Sequence, residues 1–379
     1  MHKKLTIIVM LFLFLGMFQI QPGVFAEFDV SAGSAILMEA STGQILFEKN
    51  ADVALPPASI TKLMTLLIAF EALEEGKVDW DDPVTISKKA WEMGGSQMFL
   101  LVDTEVPFGE IITGISVVSA NDGCVAVAEH LYGSEEAFVE VMNKRAKELG
   151  LTKTKYKNAS GLHVEGHRMS AKDIVVLSRY IIENFPKILE LESMPEYTYN
   201  DIQQKNRNPL IGTFPGADGL KTGWTNEAGY CLVGTALKDD MRLLSVVLKT
   251  DSEEERLKAS SELLNYGFMN FTLSKIVSKG DIVGEVPVKN GKKFNLPLKA
   301  TKDVTIVVEE EKKDEIKKVV VNVQTLEAPV SNDTPSGVLQ LKLDGEVLST
   351  VKLATAEETK RVNFFVRIWR AIIAFITGK

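Results

Sequence analysis

Pro56-Pro57-Ala58-Ser59-Ile60-Thr61-Lys62-Leu63-Met64-Thr65 is the stretch from which the rest of the chain is read. The paired prolines hold the backbone extended, because a residue before proline is pushed out of the helical region. Beyond them, apolar residues at 60, 63, 64, 67 and 70 repeat at helical spacing. A helix is therefore expected from Ser59 to Leu73, stopping at Gly76. Ser59 would then stand at a helix start, near unpaired N–H groups and the positive dipole end, where a developing anion is favoured. Lys62, three residues on, shares its face. A lysine withdrawn from water near other cations has a lowered pKa and can take a hydroxyl proton. Taken alone, the pair is more simply a capping serine and a surface lysine.

Two downstream triplets change the balance. Ser119-Ala120-Asn121 follows the apolar run Ile111 to Val118 and precedes Cys124-Val125-Ala126-Val127-Ala128, so it marks a break between helices. Its hydroxyl suits proton relay between Lys62 and a leaving amine. The Asn121 amide suits holding a substrate carbonyl and Lys62 together. Lys221-Thr222-Gly223 precedes a pair of apolar strands. A strand there offers backbone groups to an extended peptide, and Gly223 lets that peptide lie close. Lys221 supplies a fixed positive charge and Thr222 a donor for a terminal carboxylate. The N–H of Trp224 with that of Ser59 would form an oxyanion hole. Together the triplets make an S-x-x-K, S-x-N, K-T-G set with nucleophile, base, relay and anion clamp.

The surrounding pattern is α+β. Ala35 to Met38 and Gln44 to Phe47 flank Ser41-Thr42-Gly43 as a hairpin. Ser134 caps a helix ending at Gly150. Ser170 and Asp173 form a capping-box pattern. Tyr230 to Ala236 and Met241 to Leu248 are joined by Lys238-Asp239-Asp240 as a second hairpin, and a last helix runs from Ser252 to about Tyr266. Strands at both sequence ends and helices between them predict one central antiparallel sheet covered by helices, spanning 27–272. From 273 to 354 the segments turn short and alternating, with turn pairs at Asn290-Gly291 and Asp344-Gly345, which predicts a small all-β domain. Glu309 to Asp314 is expected as a solvated loop.

Both ends are distinctive. Lys3 and Lys4, an apolar run from Leu5 to Phe18 and Val24-Phe25-Ala26 have the form of a secretory signal peptide over 1–26. Removing it takes the formal charge from -8 to -10, which argues against nucleic acid as a partner. At 357–379, a polar linker precedes an apolar segment in which Asn363, Arg367, Arg370, Ala374 and Thr377 fall on one helical stripe. At ~1.5 Å per residue that segment is too short for a bilayer core about 30 Å thick. It is expected to lie in the membrane interface with its arginines toward the headgroups, anchoring an exported protein to the outer face of the cytoplasmic membrane. Cys124 and Cys231 are too few for a disulfide framework and are expected as buried small hydrophobes.

The chain resembles the serine D-Ala-D-Ala carboxypeptidases, the low-molecular-mass penicillin-binding proteins. The resemblance runs over about Ser34 to Gly267. Beyond the triplets it rests on Gly95-Ser96-Gln97-Met98-Phe99-Leu100, Ser160-Gly161-Leu162, Ser170-Ala171-Lys172-Asp173 and the run Asp218 to Tyr230. It implies removal of the terminal D-alanine from peptidoglycan stem peptides through an acyl-enzyme on Ser59, with no cofactor, and trapping of Ser59 by β-lactams. It also places Arg256 where the family has an arginine that helps bind the terminal carboxylate. His163 stands where the family usually has aspartate. A metal reading of His163-Val164-Glu165-Gly166-His167 fails on spacing and on the loop-forming glycines, and His130 is expected to be structural. A class A β-lactamase shares the triplets, but no E-x-x-L-N motif lies between Asn121 and Lys221. A non-catalytic β-lactam sensor or wall-binding protein remains the other alternative, and an endopeptidase is a close cousin of the carboxypeptidase.

Overall fold

A computed structural model describes residues 28–377, so the expected signal peptide lies outside the described residues. The first hairpin forms as expected, from β1 (Ser34–Glu39) and β2 (Ile45–Lys49). Its turn is held by one carboxylate: Glu39 accepts from Ser41 N at 2.9 Å and Thr42 N at 2.8 Å. Three long strands come from the other end of the domain: β3 (Ala217–Thr225), β4 (Gly229–Lys238) and β5 (Met241–Thr250). The β4–β5 turn places Asp239 and Asp240 at φ 48° and 64°, the left-handed pair that a two-residue hairpin loop needs. The sheet runs β2-β1-β5-β4-β3, all antiparallel, so the sequence ends meet at its centre and β3 lies at an edge.

Alternation along β1 and β5 divides two apolar layers. Ile36, Met38, Leu244 and Val246 join the large core made with the helices. Leu37 and Leu243 face the opposite way, against Gly267 of the long helix Glu253–Asn270. The helical layer includes α1 (Lys62–Glu74), α2 (Phe108–Val117), α3 (Asn121–Tyr132), α4 (Glu135–Glu148), α5 (Ala171–Asn184) and α6 (Lys187–Glu192). Glu253–Asn270 is α7, extending four residues past the expected Tyr266. Two local expectations change. Ser59 sits in a 3-10 turn, Ala58–Thr61, and the α-helix begins only at Lys62. Ser170 does cap α5, accepting from Asp173 N at 3.1 Å, but Asp173 does not close the box. Its carboxylate instead accepts from Lys153 N at 2.8 Å and Thr154 Oγ1 at 2.7 Å, tying down the preceding loop.

The second core belongs to strands between Phe271 and Thr355 and includes Val286, Leu296, Leu298, Leu339, Leu341, Val351 and Leu353. The expected solvated loop at 309–314 is a short exposed 3-10 helix, Glu310–Glu315. The expected linker is not free. Thr359 is buried and exchanges backbone hydrogen bonds with Val330 at 2.9 and 3.0 Å. The last helix, α8 (Phe364–Thr377), is capped by Asn363, whose Oδ1 accepts from Val366 N at 3.0 Å. Its arginines correct the sequence expectation, because they face the β domain. Arg367 Nε donates to Asn290 Oδ1 at 3.2 Å, Arg370 donates to Gly291 O at 2.7 Å, and the Arg370 guanidinium lies 4.1 Å from the Phe294 ring centre. The reason is donor demand: a guanidinium has five N–H groups, and this loop offers a carbonyl, an amide oxygen and a ring face. Phe364, Phe365, Ile368, Trp369 and Ile372 remain exposed. Among the described residues no helix is long and apolar enough to cross a membrane.

Candidate active site

The turn after Pro57 aims Ser59 at Lys62. Ala58 has φ 47°, which bends the chain sharply into the 3-10 turn. Lys62, fully buried, then projects back across that turn. Its Nζ donates to Ser59 Oγ at 2.8 Å, to Asn121 Oδ1 at 2.7 Å and to the Ser160 carbonyl at 2.7 Å. Burial pushes its pKa down to about 7, and the charge of Lys221 pushes the same way. Ser59 itself is half-buried, so its hydroxyl is reachable from outside.

Asn121 is the first residue of α3, as the helix break predicted. It is fixed on every side. Its N–H donates to Ser96 O at 2.8 Å and its Nδ2 to Gly94 O at 2.7 Å, leaving Oδ1 for Lys62. The next residue, Asp122, holds the same 94–100 loop by accepting from Met98 N and Leu100 N, each at 3.1 Å. Ser119 lies buried in the connection between α2 and α3 with φ 62°. A non-glycine residue in that region costs of order 1–3 kcal/mol and persists where the surroundings impose it.

Strand β3 brings Lys221, Thr222, Gly223 and Trp224 alongside the nucleophile's turn. The missing side chain at Gly223 makes room for that turn. A Cβ there would stand 2.8 Å from Pro57 O and 3.1 Å from Ser59 N. Lys221 and Thr222 are buried. Trp224 is 53% exposed and tilts against Tyr230, with ring centres 5.9 Å apart. Arg256, from the first turn of α7, lays its guanidinium 5.5 Å from the Tyr230 ring centre and bonds Glu253 at 3.1 Å, while its Nε has no partner. Its charge reaches Lys221. Hydrogen bonds thus join Ser59, Lys62 and Asn121, the Lys221–Trp224 strand lies against the nucleophile's turn, the Arg256 charge reaches Lys221, and Ser119 lies two residues before Asn121.

Four further groups pack against these residues, and the sequence reading gives none of them a role there. The Ser160 carbonyl is a backbone atom, which no side-chain motif announces. Gly161 lets the 160s loop press on the nucleophile: with φ 87°, a Cβ there would meet Ala58 O at 1.9 Å. His167 is buried behind the site, its Nε2 2.9 Å from Thr61 Oγ1, and burial pushes its pKa down to about 4. Glu192 is wholly buried beside Lys221. His163, the departure from the family pattern, has its Nδ1 3.8 Å from a Glu227 carboxylate oxygen in the β3–β4 turn. Among the described residues no group of three or more His, Cys, Asp or Glu side chains is placed to hold a metal ion. Cys124 and Cys231 are buried and unpaired, and burial pushes their thiols up to about 12 and about 11.

The family profile described as D-alanyl-D-alanine carboxypeptidase matches residues 21–252, and that of the penicillin-binding protein 5 C-terminal domain matches residues 271–361. The D-alanyl-D-alanine carboxypeptidase DacF of Bacillus subtilis is 37% identical over 359 residues, covering 92% of this chain and 90% of its own. Penicillin-binding protein 5 of Haemophilus influenzae matches with a TM-score of 0.80 at 34% identity, over 88% of this chain and 99% of that one. Penicillin-binding protein D2 of Listeria monocytogenes, in its ampicillin-bound form, matches with a TM-score of 0.59 at 33% identity, over 64% of this chain and 99% of that one. These matches favour the peptidase over the β-lactamase and the sensor. With its motifs gathered around one serine and both domains matched, the chain belongs to the serine D-alanyl-D-alanine carboxypeptidase family of penicillin-binding proteins.

Proposed function

We propose that the site removes the terminal D-alanine from peptidoglycan stem peptides through an ester on Ser59. The observation that carries this reading is the set of partners around Lys62. A neutral amine has two N–H groups and one lone pair. With Asn121 Oδ1 and Ser160 O taking the N–H groups, the lone pair is left for the Ser59 hydroxyl at 2.8 Å. Burial makes that neutral form available near pH 7. Ser59 Oγ attacks the penultimate carbonyl while Lys62 takes its proton. The N–H groups of Ser59 and Trp224 hold the oxyanion. The C–N bond breaks, the D-alanine amine receives a proton through Ser119, and water then hydrolyses the ester. Lys221, Thr222 and Arg256 bind the terminal carboxylate, and the free edge of β3 aligns the peptide. β-Lactams present the same carbonyl and carboxylate and acylate Ser59.

The same reading covers the ends of the chain. Residues 1–26 direct export and are removed, 27–272 form the peptidase domain, 273–354 the β domain, and the exposed apolar face of α8 rests on the outer surface of the cytoplasmic membrane. The activity test is D-alanine release from a diacyl-L-Lys-D-Ala-D-Ala peptide by the chain from residue 27. Wild type releases it and Ser59→Ala does not. Penicillin labelling without D-alanine release would favour the sensor, and rapid penicillin turnover the β-lactamase.

A further inference from the structure

Glu192 has no part in the roles above, yet it is buried beside the strand that carries Lys221. It ends α6 with no exposure to solvent, and neither carboxyl oxygen has a hydrogen-bond partner. A carboxylate buried without donors is costly, so such a site favours the protonated acid. Helix α6 packs on β3: a Cβ placed on Gly219 would lie 3.7 Å from the Glu192 Cβ, two residues along the strand from Lys221. Lys221 is itself buried, and it is the charged group that acts on Glu192 among the described residues. Burial pushes the Glu192 carboxyl up to about 8, against the pull of the Lys221 charge. Burial lowers Lys221 in turn; Glu192 and then Cys124 of α3 oppose that, while Arg207 and Arg256 of α7 add to it.

A single buried ammonium cannot serve two anions equally. We propose that Glu192 is a positioning residue for Lys221: protonated, it leaves the ammonium to the substrate's terminal carboxylate, and ionised, it claims that ammonium as its own counter-ion and weakens substrate binding. The proposal rests on the carboxylate-clamp reading of Lys221. The two groups share their titration, so the pair loses its first proton at one macroscopic pKa. In Glu192→Gln the amide imitates the protonated acid and Lys221 titrates alone. Because the pair has one more way to lose a proton than the lysine alone, the variant's loss of binding must occur at higher pH if Glu192 is the group that ionises.

The experiment is KM and kcat of the full chain on diacyl-L-Lys-D-Ala-D-Ala from pH 6 to 10. Wild-type KM is expected to hold to about pH 8 and then to rise about tenfold per pH unit, with kcat following much less. Glu192→Gln, and Glu192→Met as a second non-ionising variant, should move that rise upward by about one pH unit or more. An alkaline rise at the same pH in either folded variant as in wild type, or at lower pH, overturns the proposal, since a merely structural acid would not move it. Lys221→Met at pH 6.5 separates the two layers of the argument. An unchanged KM there would overturn the clamp reading and the proposal with it. A KM raised more than about tenfold keeps the clamp and leaves the pH comparison to decide on Glu192.

Discussion

At the scale of single residues, the proposed mechanism turns on Lys62, because burial pushes its pKa down to about 7 and so makes its neutral form available near neutral pH. The sign of its pH dependence follows. Its base form is neutral, so kcat/KM should climb about tenfold per pH unit below the site's pKa and level off above about 7. Lys62→Arg keeps a cation but cannot give up its proton, and should lose about 10³-fold or more in acylation rate at every pH. Rates that fall with rising pH between 5 and 7 would contradict the role. Ser59, Lys62 and Asn121 were legible because hydroxyl, amine and amide sit in spaced motifs. Lys62's third acceptor, the Ser160 carbonyl, was not, because every residue has a carbonyl and only the folded loop selects this one. Glu192 was invisible for a similar reason: an acid in Leu189-Glu190-Leu191-Glu192 looks like any helix-surface charge until the packing of α6 buries it.

At the scale of elements, sequence periodicity located the helices and hairpins, and hydrogen bonding decided their ends. Helical spacing predicts an α-helix from Ser59, but the sharp bend after Pro57 tightens Ala58–Thr61 into a 3-10 turn. The sequence alone does not show that a Cβ at Gly223 would meet Pro57 and Ser59. The C-terminal helix shows most clearly what a stripe pattern leaves open. Among the described side chains, Phe364, Phe365, Ile368, Trp369 and Ile372 are exposed, but the pattern does not say that Arg367 and Arg370 find acceptors in the 290–294 loop. The apolar face is thereby presented outward from a mounted helix rather than from a loose tail. Deleting 363–379, which spares the Thr359–Val330 pairing, should move the protein from the membrane fraction to the soluble one. Arg367→Gln with Arg370→Gln should leave it membrane-bound, because these arginines serve the β domain. Unchanged fractionation of the deletion would reject the anchor.

At the scale of the whole molecule, the fold brings three segments separated by 56 and 99 residues around one hydroxyl. The sheet order places the N-terminal hairpin beside β5 and leaves β3 at the edge, where it can flank the nucleophile's turn. Helix α3 enters from the other side and delivers Asn121. This convergence is the central claim, and covalent labelling tests it directly. Protein treated with benzylpenicillin, digested and analysed by mass spectrometry should carry the added mass on the peptide containing Ser59, and Ser59→Ala should carry none. An adduct on any other peptide, or an equal adduct on Ser59→Ala, would contradict the account.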